Sequence, residues 1–473
     1  MLEKTYQSPL AERYASSEML HVFSPQFKYS TWRKLWVALA QAQQALGLDI
    51  TKDQITKLNK HVNDIDFALA ERYEKKFKHD VVAHIHTYGD QCPSARPIIH
   101  LGATSCYVTD NTDIIQMREA LQILILKLAQ VIQQLSKFAK EHKDLACLGF
   151  THFQPALLTT VGKRAAMWVQ DFLMDLSELE LRKNQLRFLG AKGTTGTQAS
   201  FLMLFNRDHT KVQALDNLIA SKMGFSGLYA IAGQTYSRKQ DALVMNALTG
   251  IALSASKFAT DLRLLAHSKE LEEPFAQDQV GSSAMPYKRN PIYSERVCSL
   301  SRFLISLTEN PNYTASTQWL ERTLDDSANR RLCIPEAFLT CDAILNLLLH
   351  ITSGIVVYPK MIARHIAEEL PFMATENILM TCVKKGGDRQ DLHEKIRRHS
   401  MDAAKKVKQE GVSNDLLQRI AQDPSLNISE TELKQILNVS DFIGLAPLQV
   451  EEFLTKEVEP LLAKYTPKPK EKL

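Results

Sequence analysis

Residues 111–138 read NTDIIQMREALQILILKLAQVIQQLSKF, and the spacing of their apolar side chains decides the fold class. Ile114, Met117, Leu121, Leu124, Leu128, Val131, Leu135 and Phe138 follow one another in alternating steps of three and four. Such steps put all eight on one face of an α-helix, roughly 40 Å long at 1.5 Å per residue. One helix cannot bury so long a stripe alone. The chain supplies partners at Trp168, Phe172, Leu176 and Leu179, then at Leu248, Ile251, Ala255, Phe258, Leu262 and Leu265. Further stripes run through Val297, Leu300, Leu304 and Leu307, and more weakly through Phe338, Cys341, Leu345 and Leu348. Five such helices make an extended bundle, and no stretch alternates with the period of a strand. The predicted class is therefore all-α, with Pro335 expected to kink or start the fifth helix.

Outward from the bundle, the character of the chain changes on both sides. Residues 1–104 mix short helical patterns with loops, and Trp32, Leu35, Trp36 and Leu39 fall at helical spacing as a core face. Residues 105–357 carry the long stripes. From 358 to 473 the stripes stop, and Gly386-Gly387 and Asp423-Pro424-Ser425 divide shorter helices. Three domains with these bounds are the expected organisation.

Composition narrows the function. The net charge of +4 is spread along the chain, apart from Lys468, Lys470 and Lys472, which argues against a nucleic-acid surface but allows local basic pockets for small anions. Lys127 interrupts the best apolar run, so no membrane span is expected, and Glu3 ahead of any apolar stretch argues against a signal peptide. Seven cysteines without a CxxC pair read as free thiols in a reducing cytosol. His79, His84 and His86 lie close together, but no HExxH pattern or cysteine pair accompanies them, and no metal site is expected.

Polar residues concentrate in the linkers. Gly281-Ser-Ser-Ala-Met-Pro-Tyr-Lys-Arg-Asn-Pro291 sets a glycine, two hydroxyls and an ammonium ahead of an apolar periodic run. Asn290 suits an N-cap and Pro291 a first helical position, and the amino end of that helix would attract an anion. A serine held near Lys288 in such a loop suits removal of a proton beside a carboxylate. Gly102-Ala-Thr-Ser105 is a turn whose hydroxyls and amides fit either a carboxylate or a plain helix cap. Thr151 to Ala156, Gly193 to Gln198 and Gln234 stand in further linkers. If a helix starts near Asp325, Ser327 and Arg331 lie one turn apart, an arrangement fit for a phosphate or for surface ion pairs.

The 281–291 stretch resembles the GSSxMPxKxNP signature of the fumarase/aspartase superfamily, whose members eliminate fumarate from succinyl-type substrates, and every fixed position is present. Along nearly the whole chain the linkers resemble the adenylosuccinate lyase family, most closely its animal-type branch. The matching elements are Ser8-Pro9-Leu10 with Arg13-Tyr14, His79-Asp80 with His84 and His86, Gly102 to Ser105, Thr151 to Pro155, Leu324 to Arg331, and Pro371 to Asn377. Lys78 stands where an arginine is often found.

The resemblance implies elimination of fumarate from adenylosuccinate and from the succinyl-carboxamide ribotide of purine synthesis, without cofactor or metal. It implies Ser282 as the base and His152 as the acid that protonates the departing nitrogen. Lys288 and Asn290 would stabilise the carbanion's carboxylate, and Thr104, Ser105 and Gln234 would hold the succinyl carboxylates. Arg13, Tyr14, Arg322, Ser327 and Arg331 would hold the nucleotide, chiefly its phosphate. His79 and Asp80, next to Lys78, would border His152, and Arg296 would lie on the nucleotide side. It also implies a cytoplasmic homotetramer whose sites draw on several chains. Argininosuccinate lyase and fumarase are the nearest rivals, and the Leu324 to Arg331 element argues against both. A non-catalytic scaffold, like the lens crystallins related to argininosuccinate lyase, is the rival of another class. Intact Ser282, His152 and Lys288 argue against it.

Overall fold

A computed structural model describes residues 5–465; Glu3 and the lysines at 468, 470 and 472 lie outside them. The all-α expectation holds. Helices Ser105–Glu141, Val161–Gln185, Lys239–His267, Ile292–Leu307 and Asp326–Thr352 coincide with the five stripes. All eight residues of the Ile114 to Phe138 stripe are at most 8% exposed. The first helix spans about 55 Å by its rise per residue, longer than the stripe alone.

The chain divides into two compact units, each assembled from separated segments: Met1–Leu128, Met174–Lys257 and Arg296–Leu348 in one, and Ala129–Leu173, Phe258–Glu295 and Leu349–Leu473 in the other. In the first unit, the Pro25–Ala45 helix starts on Ser24, whose side chain accepts from the Phe27 amide, with proline at the first helical position. Trp32, Leu35, Trp36 and Leu39 on it are at most 1% exposed, as their spacing predicts. Lys127, otherwise an intruder in an apolar run, donates to the buried Asp342 and to Asn346 Oδ1 at 2.8 Å.

In the second unit, Trp168 meets Phe258 edge-on at 5.1 Å, and its indole N–H donates to Asp261 at 2.8 Å. The chain after 358 has a core of its own, with Ile378, Leu392, Ile396, Leu416, Ile420 and Leu433 among its buried residues. Asp388 caps the Arg389–Glu410 helix just after Gly387, and Asp423 caps the short turn Pro424–Leu426, both where the sequence marks breaks.

Three details differ from expectation. The second unit holds two small antiparallel sheets, Ala146–Thr151 with Gln154–Thr160 and Leu271–Glu272 with Val356–Val357. Pro335 does not start the fifth helix, which begins at Asp326 and continues through the proline. Helices Lys239–His267 and Asp326–Thr352 are long and apolar enough to cross a membrane, although more than half of the most apolar stretch of each is buried within the protein. Leucine, isoleucine and alanine make these helices apolar, and the polar residues among them keep any one run from being unbroken.

Candidate active site

The sequence-predicted residues fall into three groups. The first lines a cavity of about 830 Å³ in the first unit: Lys78, His79, Asp80, Ser105, Gln234, Arg322, Ser327 and Arg331. Lys78 ends the Phe67–Phe77 helix in a left-handed conformation, φ 57°, and His79 then caps the Asp80–Gln91 helix. The Val82 amide donates to His79 Nδ1 at 3.4 Å, which makes that nitrogen the acceptor and leaves Nε2 facing Ser105 Oγ at 3.4 Å. The other two histidines of that segment point elsewhere. His84 is stacked on Tyr29 at 3.8 Å, and burial pushes its pKa down to about 4. His86 packs on Phe77 at 4.7 Å and pairs with Arg96 at 3.0 Å.

Gly102, at φ 77°, turns the chain into the Ser105–Glu141 helix, and a Cβ there would strike Leu204 and Phe201. Thr104 immediately precedes that helix and does not line the cavity. Gln234 is held at both ends, its amide N–H donating to the Thr194 carbonyl at 3.0 Å and its oxygen accepting from Cys106 at 3.3 Å. Ser327 and Arg331 are one turn apart on the Asp326–Thr352 helix, and Arg331 reaches Asp80 at 3.3 Å.

The cavity wall also carries a charge network, formed by Asp110, Asp113, Arg238, Arg322 and Arg330, of which sequence reasoning singled out only Arg322. Arg238, 1% exposed, donates to Asp110 at 2.9 and 3.3 Å and to Asp326 at 2.7 Å. Asp326 also receives Arg322 Nη1 at 2.8 and 3.0 Å. Burial works against its ionisation, but Arg238 and Arg322 outweigh that, and the carboxyl titrates below the usual aspartate range. Arg330 completes the set, donating to Asp241 at 2.7 Å and Asp113 at 2.9 Å. The one visible signal was Arg322, Asp326 and Arg330 at helical spacing, which reads equally well as a solvated face.

The second group also belongs to the first unit but not to the cavity lining. Arg13 and Tyr14 end the turn Leu10–Tyr14, and the Arg296 guanidinium lies 5.4 Å from the Tyr14 ring centroid.

The third group is in the second unit. His152 and Phe153 form the two-residue turn between strands Ala146–Thr151 and Gln154–Thr160, and both have positive φ, 52° and 57°. Such a turn normally uses asparagine and glycine; side chains in this region cost roughly 1–2 kcal/mol each. The strain presents His152 at an exposed tip. In the 281–291 loop, Asn290 Nδ2 donates to the Gly281 carbonyl at 2.8 Å, drawing the loop's ends together. A Cβ at Gly281 would collide with the Lys288 carbonyl oxygen. Ser282 Oγ accepts from the amides of Ala284 and Met285 at 3.3 and 3.1 Å, so two N–H dipoles favour negative charge on it. Lys288 is exposed on the same loop.

The helix after the loop begins at Ile292, one residue beyond Pro291. Its amino end does attract an anion, and that anion is Glu273 of the chain itself. The Glu273 carboxylate, 5% exposed, accepts from the Tyr293 amide at 3.0 Å and from the amide and hydroxyl of Ser294 at 2.8 Å.

Comparison with known proteins accords with this arrangement. Residues 29–303 match the family model described as lyase, and residues 371–453 match that of the adenylosuccinate lyase C-terminus. The chain is 54% identical over 456 residues to adenylosuccinate lyase of Saccharomyces cerevisiae, covering 96% of this chain and 95% of that protein. It is 52% identical to that of Schizosaccharomyces pombe, covering 98% and 96%, and 48% identical to that of Schistosoma mansoni, covering 97% and 96%. In fold it is similar to 3-carboxy-cis,cis-muconate lactonizing enzyme of Pseudomonas putida, with a TM-score of 0.83 at 20% identity over 97% of this chain and all of that one. A fumarate lyase of Mesorhizobium sp. BNC1 gives 0.80 at 20% identity, over 96% of this chain and all of that one. The all-α lyase architecture, the signature loop and near full-length relatives at about half identity agree, and the chain belongs to the adenylosuccinate lyase family of the fumarase/aspartase superfamily.

Proposed function

We propose that this chain eliminates fumarate from adenylosuccinate, giving AMP, and from the succinyl-aminoimidazole-carboxamide ribotide of purine synthesis. The observation that carries the reading is the first unit's cavity, where Ser327, Arg331 and Arg322 are gathered with Ser105, Gln234 and His79. A hydroxyl and a guanidinium one helical turn apart suit a phosphate, and the hydroxyl and amide suit carboxylates. In this reading Thr104, Ser105 and Gln234 hold the succinyl group, and His79 and Asp80, next to Lys78, border the proton-donating His152.

The proton removed lies on carbon beside a carboxylate, so the negative charge that accumulates must be met by fixed positive groups. Ser282 acts as the base, and two amides directed at its oxygen support an alkoxide there. Lys288 and Asn290 stabilise the doubly charged carboxylate. His152 protonates the departing nitrogen, which leaves poorly as an unprotonated amine and to which an imidazolium can donate. Neither cofactor nor metal enters this scheme.

The active form is read as a cytoplasmic homotetramer, with sites completed between chains and with no membrane or nucleic acid as partner. Arg13, Tyr14 and Arg296, assigned to the nucleotide, are grouped outside the cavity lining, which supports a second chain bringing them to it. Met167, Met174 and Leu181 repeat every seven residues on one helix at 51%, 66% and 41% exposure, an apolar stripe that an assembly would cover. The portions 1–104, 105–357 and 358–473 are read as three domains, and the separate core around Ile378 and Leu416 supports the last.

The test is ultraviolet absorbance of purified protein with adenylosuccinate, and with argininosuccinate and malate in parallel. Release of AMP and fumarate from adenylosuccinate alone is expected. No release from any of the three by folded protein would move the reading to a non-catalytic scaffold.

A further inference from the structure

Lys28 lies in the first turn of the Pro25–Ala45 helix, and its side chain lines the same cavity as Asp80, Ser327 and Arg331. Its Nζ is 5.4 Å from the Tyr29 ring centroid and 5.2 Å from that of Trp32. Ring faces attract an ammonium but offer no lone pair to its N–H groups.

Among the described residues, the ammonium has no hydrogen-bond or ion-pair partner. The acids whose charge bears most on it are already engaged. Asp113 receives Arg330 Nη2 at 2.9 Å. Asp80 receives Arg331 at 3.3 Å and the Val81 amide at 2.8 Å. Glu74, also in the lining, acts on it most weakly.

Two further circumstances make this an expensive place for a cation. The amino end of a helix disfavours positive charge, and burial lowers the lysine's pKa, a change that Asp113 offsets and Arg331 reinforces. Lys28 and Arg331 therefore repel one another across a shared space. An entering anion would relieve both, and a phosphate monoester, with close to two negative charges, relieves them best.

We propose that Lys28 is a further anion-holding residue of this cavity, donating to a phosphate oxygen of the nucleotide alongside Arg331. The inference rests on reading Ser327 and Arg331 as the phosphate holders. Methionine at 28 keeps the length and the ring contacts while removing the charge, and arginine restores the charge.

The experiment measures inhibition of the purified enzyme by AMP and by adenosine, with KM and kcat for adenylosuccinate, in wild type, Lys28→Met, Lys28→Arg and Arg331→Ala. Lys28→Met should weaken AMP by roughly 10- to 100-fold while changing adenosine by less than about 2-fold, and should raise KM far more than it lowers kcat. Lys28→Arg should recover most of the loss. Should the methionine variant fail to fold, Lys28→Gln serves the same comparison. Normal AMP inhibition of Lys28→Met beside weakened Arg331→Ala would overturn the role of Lys28 and leave the phosphate reading standing. Normal AMP inhibition of both would overturn that reading and the inference with it. Equal weakening of AMP and adenosine would assign Lys28 to packing and overturn the proposal.

Discussion

Replacing Asp326 by asparagine tests whether the buried charge network positions Arg322. The carboxylate is fully buried and accepts from Arg238 Nε at 2.7 Å and from Arg322 Nη1 at 2.8 and 3.0 Å. Asparagine keeps the shape but offers one acceptor where two guanidiniums need two, and turns an N–H₂ towards one of them. Breaking a buried pair from one side costs about 3–5 kcal/mol. Arg238 keeps its two bonds to Asp110, so the lower end of that range, near 3 kcal/mol, is expected. Unfolding by urea at one fixed protein concentration measures this, because any assembly would add a concentration dependence.

The same substitution should free Arg322 and raise KM for adenylosuccinate roughly 10-fold with a smaller change in kcat. Acid supplies a third readout. The Asp326 carboxyl titrates below its unfolded value of about 3.9, so its contribution is present above that pH and is lost as pH falls through the lower folded value. The gap between wild type and variant should therefore close below about pH 4. A loss smaller than about 1 kcal/mol together with an unchanged KM would refute the reasoning.

Three other substitutions probe separate parts. Ser282→Ala should lower kcat by at least about 10²-fold and leave AMP inhibition nearly intact, and near-normal turnover would remove serine from the base role. Arg331→Ala, at a side chain 61% exposed, should raise KM roughly 10- to 100-fold with little effect on unfolding; an unchanged KM would refute the phosphate role. Glu273→Ala should cost about 2–4 kcal/mol in urea unfolding by stripping the Ile292–Leu307 helix of three hydrogen bonds at its amino end, and a cost near zero would mean water replaces them.

The long helices were legible because their stripes repeat over many turns, so a single misplaced residue such as Lys127 does not hide the period. The hairpin bearing His152 was not. Its strands have only six and seven residues, a register shift between Leu148 and Phe150 spoils the alternation, and its turn lacks glycine and asparagine. The start of the Ile292–Leu307 helix was read correctly to within one residue, and the pull of its amino end on an anion was sound physics. What the sequence could not convey is that Glu273, about twenty residues away, answers that pull.

The candidate site divides in the same way. Its linker residues stand out because hydroxyls, amides and guanidiniums cluster in short stretches that resemble a known family. The network beneath them is silent in the sequence: Arg238 pairs with Asp326 and Asp110 across 88 and 128 positions. Each of these reads alone as an ordinary charged residue on a helix. The three neighbouring histidines carried the opposite hazard, a local concentration that the fold distributes to a helix cap, a buried aromatic stack and an arginine contact.

A two-residue turn between paired strands also limits how this stretch can change length. One residue added or lost between Thr151 and Gln154 would slide one strand past the other and turn each side chain of Gln154–Thr160 to the opposite face, while carrying His152 off the tip. The loops that join the shorter helices after residue 358 face no such bookkeeping. Insertions and deletions should thus accumulate in those loops and be nearly absent from 151–154, a contrast that a library of single-codon insertions selected for growth would read directly.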